Sequence, residues 1–211
     1  MMQRFESFHG GTVTLFEDGT VECVGNVDNG VIADAKKELL VDVEYLKCTQ
    51  GAFAAKKRDG SVVVGGDEEY GGDPGPKQSE LTDVESIVAT DRAFAVKMRD
   101  GTVVTWGRKL FGGDPGSKQS ELIDVDFIVA GQYAFAARKA DGTVITWGNK
   151  EYGGDPGARQ SDLVDVVSIG SYRRAFAAMK SDGRIICWGG KEFFKGATKD
   201  CKRVPTISFE C

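Results

Sequence analysis

The chain has 211 residues and a formal net charge of −5, with 27 Lys and Arg against 32 Asp and Glu. Binding to a phosphate backbone needs a dense positive face, so this balance disfavours nucleic acid as the partner. No apolar run reaches the roughly 18 residues of a membrane span. The 28 glycines, near twice the usual frequency of roughly 7%, indicate many tight turns between short strands.

The cysteines are scattered and form no C-x-x-C pair, and the chain has a single histidine, His9. We therefore expect no metal site and no cofactor. An odd, scattered cysteine count indicates free thiols in a reducing compartment, and the N-terminal segment lacks the apolar stretch of a secretory signal. These features predict a monomeric protein of the cytoplasm or nucleus. The five cysteines are Cys23, Cys48, Cys187, Cys201 and Cys211.

A repeat of 41 residues runs through the whole chain. Residues 93–133 and 134–174 are identical at 22 of 41 positions. Its most regular mark is an Asp-Gly pair, which begins at Asp18, Asp59, Asp100, Asp141 and Asp182. A period of this length is typical of solenoids and propellers. We predict one repeat domain over 1–211, with copies at approximately 1–42, 43–83, 84–124, 125–165 and 166–211.

Each copy predicts three or four short antiparallel strands. In the third copy, AFAVKM and TVVTWG consist mainly of residues that favour strands. They flank an Asp-Gly pair, and this pair predicts a two-residue hairpin turn. The GGDPG that follows predicts a loop, SKQSEL a short strand or helical turn, and DVDFIVA the next strand. These strands are apolar on both faces, which is typical of sheets packed face to face. The sequence thus predicts an all-β tandem-repeat β-propeller of five small blades, with an open curved β-array as the alternative.

The two ends of the array are less regular than its middle. The first copy has Val24 where later copies have Trp, its segment 33–40 predicts a short helix, and the chain runs just past five periods. A closed ring whose C-terminal piece adds a strand to the first blade is favoured over an open array or a ring completed by oligomerisation.

Two repeated polar features are candidate partner-binding sites. The GGDPG loops place an aspartate before each proline, and a polar stripe follows with one basic residue per copy. These aspartates would bind a cation or a polar partner, although Asp before Pro is also ordinary turn chemistry and the stripe an ordinary solvated edge. The candidate residues are Asp73, Asp114, Asp155, Lys77, Lys118 and Arg159.

From Asp100 to Gly107 the chain reads D-G-x-V-x-x-W-G, and Gly112 follows five residues later. This unit resembles the repeat of the regulator of chromosome condensation (RCC) family, in a short 41-residue variant that covers essentially the whole chain. The resemblance implies a β-propeller that binds proteins, and one branch of the family exchanges guanine nucleotides on a small GTPase. The unit departs from the family at Ala134, where a His is common, and at Gly113-Asp114-Pro115, which replaces Q-L-G.

Catalysis usually needs unlike residues gathered in one cleft, whereas this chain repeats the same ones. We therefore predict a non-catalytic protein-interaction module or scaffold. The alternative is a lectin-like carbohydrate-binding propeller, in which the repeated tryptophans stack on sugars instead of packing in the blade core. They are Trp106, Trp147 and Trp188. A nucleotide exchange factor, by family analogy alone, is the weaker alternative.

Overall fold

The computed structural model describes residues 2–8, 11–25, 38–190 and 209–210. Its strands are β1 Met2–Phe8, β2 Gly11–Phe16, β3 Val21–Gly25, β4 Val43–Cys48, β5 Ala52–Lys57, β6 Val62–Gly66, β7 Val84–Ala89, β8 Ala93–Met98, β9 Val103–Gly107, β10 Val125–Ala130, β11 Ala134–Lys139, β12 Val144–Gly148, β13 Val166–Tyr172, β14 Ala175–Lys180, β15 Ile185–Gly189 and β16 Phe209–Glu210.

Consecutive strands pair antiparallel into five sheets, β1–β3, β4–β6, β7–β9, β10–β12 and β13–β15, which confirms the predicted strands. The fifth sheet gains a fourth strand because β16 pairs with β13. This pairing corrects the prediction for the tail, whose described strand joins the last sheet and not the first. Ring closure and most of the predicted helix at 33–40 depend on residues 26–37 and 191–208, which lie outside the described residues.

Pairs of short 3-10 helices connect the sheets and lie in the loops that contain GGDPG. They span Glu68–Tyr70, Gly75–Glu80, Lys109–Phe111, Gly116–Glu121, Lys150–Tyr152 and Gly157–Asp162. The segment SKQSEL thus belongs to a helical turn and not to a strand. No helix in the described parts of the chain has the length and apolar character to cross a membrane.

The core lies between consecutive sheets. The middle strand of each of the last four sheets turns small alanines to one side and a phenylalanine to the other, so the aromatic residues of one sheet fit against the alanines of the sheet before it. Phe94 and Trp106 of the third sheet share a buried cluster with Ala52 and Ala54 of the second. Strands that are apolar on both faces are therefore buried on both faces, as the sequence predicted.

The Asp-Gly turns join neighbouring blades. The amide of Val125 donates to the carbonyl of Gly101 at 2.9 Å, and the same bond recurs at each of the other three described joints. The predicted two-residue turn is wrong, because Met98 N donates to Thr102 O and only Gly101 of the loop has a positive φ, +82°. The loop has three residues, and the αL glycine forms a bulge at its end.

The turn aspartates predict acid sensitivity. Hydrogen bonds from the hydroxyl and the backbone amide of Thr102 lower the pKa of Asp100 below its ordinary value of 3.8. The same two bonds from Thr143 lower the pKa of Asp141. A carboxyl with a lowered folded pKa adds stability above its unfolded pKa and loses it as pH falls through the folded value. We expect the urea midpoint to fall between pH 5 and about pH 3, and Asp100→Asn to reduce that dependence. An unchanged dependence in the variant would contradict this account.

The cysteines do not share one redox state. Cys23 and Cys48 remain reduced thiols, as the sequence predicted. Cys187 is disulfide-bonded, so the prediction is wrong there. Cys23 and Cys187, which occupy the same repeat position, are not bonded to each other.

Candidate partner-binding face

The two ends of each sheet carry different loops. In the third sheet the residue pairs Ala89–Phe94 and Ala93–Gly107 lie at one end, and the Asp-Gly turn lies at the other. We call the first end the upper face; it carries the described loops that follow the first and the third strands of the sheets. The opposite end is the lower face, where the turns dock on the next blade.

A row of loop residues crosses the upper face near the centre of the array, where the first strands of successive sheets pack on one another. The backbone amide of Gln50 donates to the backbone carbonyl of Asp91 at 2.9 Å. The backbone amide of Asp91 donates in the same way to Gln132 at 3.0 Å, and that of Gln132 to Arg173 at 3.2 Å. These four residues are 41 apart in sequence. One backbone bond per joint therefore links four copies into a continuous row.

The side chains of this row differ in charge. The Asp91 carboxylate accepts a hydrogen bond from the Gln50 amide at 2.8 Å and another from the Gln132 amide at 3.2 Å. Burial raises the pKa of Asp91, although the bond from Gln132 opposes the shift. Arg173 ends the row as an exposed cation. A cavity of about 630 Å³ lies beside it, lined by Asp91, Ala130, Gly131, Gln132, Ser171, Arg173 and Arg174.

An alternating set of aromatic and arginine side chains fills the joints between blades on the upper face. Arg92 lies over the ring of Tyr70, with 4.4 Å from its guanidinium carbon to the ring centroid. Tyr133 stacks on Tyr152 at 4.1 Å between centroids, and Arg174 lies over Tyr152 at 4.7 Å. Cation–π contacts of this kind contribute about 0.5–2 kcal/mol each. The contact with Tyr152 orders the side chain of Arg174, which lines the cavity.

The predicted aspartates cap their own turns. Asp73, Asp114 and Asp155 each accept the amide of the glycine two residues later, at 2.7, 2.8 and 2.9 Å. This is the turn geometry that Asp before Pro favours. Lys109 and Lys150 also pair with Asp114 and Asp155, at 3.0 and 3.7 Å.

The predicted basic residues make contacts of a different kind. Lys77 and Lys118 donate to the carbonyls of Thr105 and Thr146 in the next copy, both at 2.5 Å, whereas Arg159 pairs within its own loop. Asp73 and Lys77 also line a groove of about 550 Å³ with Glu69, Trp106 and Arg108, among other residues. A role for these residues in partner binding stays a prediction.

The three tryptophans hold blade joints together. Trp106, Trp147 and Trp188 are 2–3% exposed. The indole N–H of each donates to the carbonyl of the first glycine in the preceding GGDPG loop, at 2.9–3.0 Å. Each ring also stacks on the phenylalanine of the adjacent strand. The blade-core interpretation is confirmed, so these rings present no open face to a sugar.

The upper-face residues were missed because they do not repeat. Gln50, Asp91 and Arg173 occupy one repeat position with three different chemistries. Leu110 is 68% exposed at a position that is Glu69 in the copy before it. The differences between the copies at equivalent positions, and not only their identities, are the signal that would have indicated this face.

No protein-family model and no curated protein matches the chain. Among solved structures, Prp20p of Saccharomyces cerevisiae matches with a TM-score of 0.59 and 14% identity, over 98% of this chain and 63% of Prp20p. Human WBSCR16 matches with a TM-score of 0.54 and 15% identity, over 89% of this chain and 61% of that one. The ectodomain of the Physcomitrella patens receptor kinase CR4 matches with 0.53 and 16%, over 94% and 53%.

The likeness to Prp20p, which is yeast RCC1, shows the fold. The chain folds as an RCC1-type repeat β-propeller, as the sequence resemblance predicted. It spans between 53% and 63% of the length of the three structures above.

Proposed function

We propose that the chain is a non-catalytic protein-interaction module and that its partner docks on the upper face. The observation that carries the proposal is that the copies keep the same residues in their joints and cores but differ on this face. A protein surface that binds one partner needs a distinct residue at each contact, whereas a ring of equivalent ligand sites needs the same residues in each copy. The upper face has the first pattern.

Leu110 is the strongest candidate anchor for a partner. It is 68% exposed in the loop between β9 and β10, and the nearby Arg108 pairs with Glu69 at 3.3 Å. An apolar side chain near charged groups is the usual composition of an interface core with a polar rim. Truncation of such an anchor commonly weakens binding by about 2 kcal/mol or more.

The chemistry of the cavity supports a non-catalytic role. Asp91 is the only carboxylate among the described residues that line it, and its Oδ2 accepts both side-chain amides of the row. General acid–base catalysis needs positioned acids and bases within reach of the substrate, and the described lining places no second acid or base beside Asp91. The remaining polar groups are amide, hydroxyl and guanidinium, which bind and orient.

The structural neighbours also support protein binding. The structure of Prp20p is described with its binding to Gsp1p and histones, and a second structure has Kap60 bound to it. We infer a similar use of the fold in this chain, as a monomer within a larger assembly. The disulfide at Cys187 removes part of the basis for an intracellular location, so both cell interior and secreted fractions should be searched for the partner.

The test is affinity capture with the tagged chain from extracts of its own source, compared between wild type, Leu110→Ser and Ile123→Ser. Ile123 is an exposed apolar residue of the same kind, 47% exposed, that lies outside the upper face. We expect the wild-type chain to capture one or a few proteins in near-stoichiometric amount, and we expect free sugars to leave that capture unchanged. Leu110→Ser should weaken binding about tenfold or more, and Ile123→Ser should leave it unchanged.

Other outcomes would assign another function. Elution of many glycoproteins by free sugar would assign the chain to the lectins. Faster nucleotide release from a small GTPase by the pure chain would assign exchange activity. An equal loss of partner binding in both variants would place the partner away from the upper face. Light scattering of the pure chain checks that it is a monomer.

A further inference from the structure

We propose that the upper-face groove between the second and third blades binds a lysine side chain of the partner, with Asp73 and Glu68 as the groups that accept its ammonium. This rests on the proposed function and names one chemical feature of the partner, a basic peptide segment. The groove of about 550 Å³ is within the range of sites that enclose a ligand, about 300–1,000 Å³. It therefore has room for a long side chain and its neighbours.

The equivalent loop binds an ammonium in each of the two following copies. Oδ1 of Asp114 caps its own turn, and its Oδ2 pairs with Lys109 at 3.0 Å. Oδ1 of Asp155 caps its turn in the same way, and its Oδ2 pairs with Lys150 at 3.7 Å. One oxygen of this repeated aspartate is therefore used by the turn, and the other is placed where it accepts a cation.

In the second copy an acid replaces the lysine. Glu68 occupies the repeat position of Lys109 and Lys150, and it lines the groove together with Asp73. Asp73 Oδ1 still accepts the amide of Gly75 at 2.7 Å, but no cation in the described part of the chain pairs with its Oδ2. The acceptor that two copies fill with a lysine of their own is thus left to a cation from another molecule, and a second carboxylate lies beside it.

The two cations that line the groove have partners of their own. Lys77 donates to the carbonyl of Thr105 at 2.5 Å, and Arg108 pairs with Glu69 at 3.3 Å. The two carboxylates that would bind the partner's lysine are therefore not those that the chain's own cations use.

The surroundings favour a lysine over a metal ion. Within the described residues, no group of three or more His, Cys, Asp or Glu side chains could hold a metal ion. A lysine carries its charge on a flexible four-carbon stem, and Lys109 and Lys150 show that such a stem suits this loop. The net charge of the whole chain, −5, also attracts a basic segment over longer distances.

The experiment uses a fluorescein-labelled octapeptide of alternating Lys and Ser, and the same peptide with every lysine acetylated as its uncharged match. Binding to the full chain is followed by fluorescence anisotropy in about 0.15 M salt, where exposed charges are screened beyond about 8 Å. A groove that binds the ammonium should bind the first peptide and not the second.

Three variants locate the binding. Glu68→Lys gives the second copy the lysine of its neighbours, and Asp73→Asn keeps an oxygen for the turn but removes the charge. Glu121→Lys makes the same change of charge at an exposed acid outside the described lining of the groove. We expect the first two variants each to weaken the lysine peptide about tenfold or more, as loss of a hydrogen bond to a charged group does, and Glu121→Lys to leave it unchanged.

Three results would overturn the inference: equal binding of the lysine and acetyl-lysine peptides, equal weakening by Glu68→Lys and Glu121→Lys, or complete displacement of the peptide by millimolar Mg²⁺. Circular dichroism checks the folding of each variant, and if Glu68→Lys does not fold, Asp73→Asn takes its place in the comparison. Partner capture that depends on Leu110, together with failure of the lysine peptide to bind, would sink this inference and leave the proposed function standing.

Discussion

Replacing Gly113 with alanine is expected to disrupt the joint between the third and fourth blades. A Cβ at this position would lie 2.1 Å from the carbonyl oxygen of Gly107 and 2.3 Å from its carbon. The loop cannot easily withdraw, because Gly113 N donates to Arg108 O at 3.1 Å and Thr105 Oγ1 donates to Gly113 O at 3.2 Å. We expect the free energy of unfolding to fall by about 4 kcal/mol or more, in the range of severe core substitutions.

Gly116→Ala, in the same loop, is the matched control. Gly116 has a φ of +61°, but an added Cβ would meet nothing within 4 Å. Its cost is therefore that of a left-handed backbone alone, about 1–2 kcal/mol. Urea unfolding followed by circular dichroism measures both variants. Equal losses would mean that backbone conformation, and not the close approach of two chain segments, makes glycine necessary at 113.

The contrast between these two glycines shows what the sequence reveals and what it hides. GGDPG predicts a loop because glycine allows unusual φ, and Gly112 and Gly116 indeed have positive φ. Gly113 does not, and its requirement comes from the carbonyl of Gly107 across the loop. Strands can be predicted from local runs of apolar and β-branched residues, but a contact between two backbone segments leaves no such pattern.

The same limit explains which site residues the sequence indicated. Asp114 and Lys118 stand out because they repeat. Asp114 caps its own turn, and Lys118 donates to Thr146 of the next copy as Lys77 does to Thr105. The row from Gln50 to Arg173 is made by lateral bonds between loops 41 residues apart. Nothing in one copy shows that these loops meet. Within a repeat chain, identity thus marks the joints and difference marks the surface left to a partner.

Replacing Trp147 with alanine is expected to weaken the middle of the array. The ring is 2% exposed and stacks on Phe135 at 5.2 Å between centroids. It packs in one cluster with Ala93 and Ala95 of the preceding sheet, so its loss leaves a cavity between two blades. Such truncations cost about 3–5 kcal/mol. Trp147→Phe keeps most of the apolar contact but leaves the Gly112 carbonyl without the indole donor, a loss of about 1–3 kcal/mol.

The position of Trp147 makes the shape of the unfolding curve informative. In a linear array each blade is stabilised by its neighbours, so a weak middle joint separates the copies on either side of it. We expect Trp147→Ala to unfold in two urea transitions. Trp188→Ala, which removes the equivalent contacts with Phe176 and Gly153 at the last joint, should shift one transition without splitting it. A single, equally shifted transition in both variants would show that the five sheets unfold as one cooperative unit, as expected if the first and fifth blades also pack on each other.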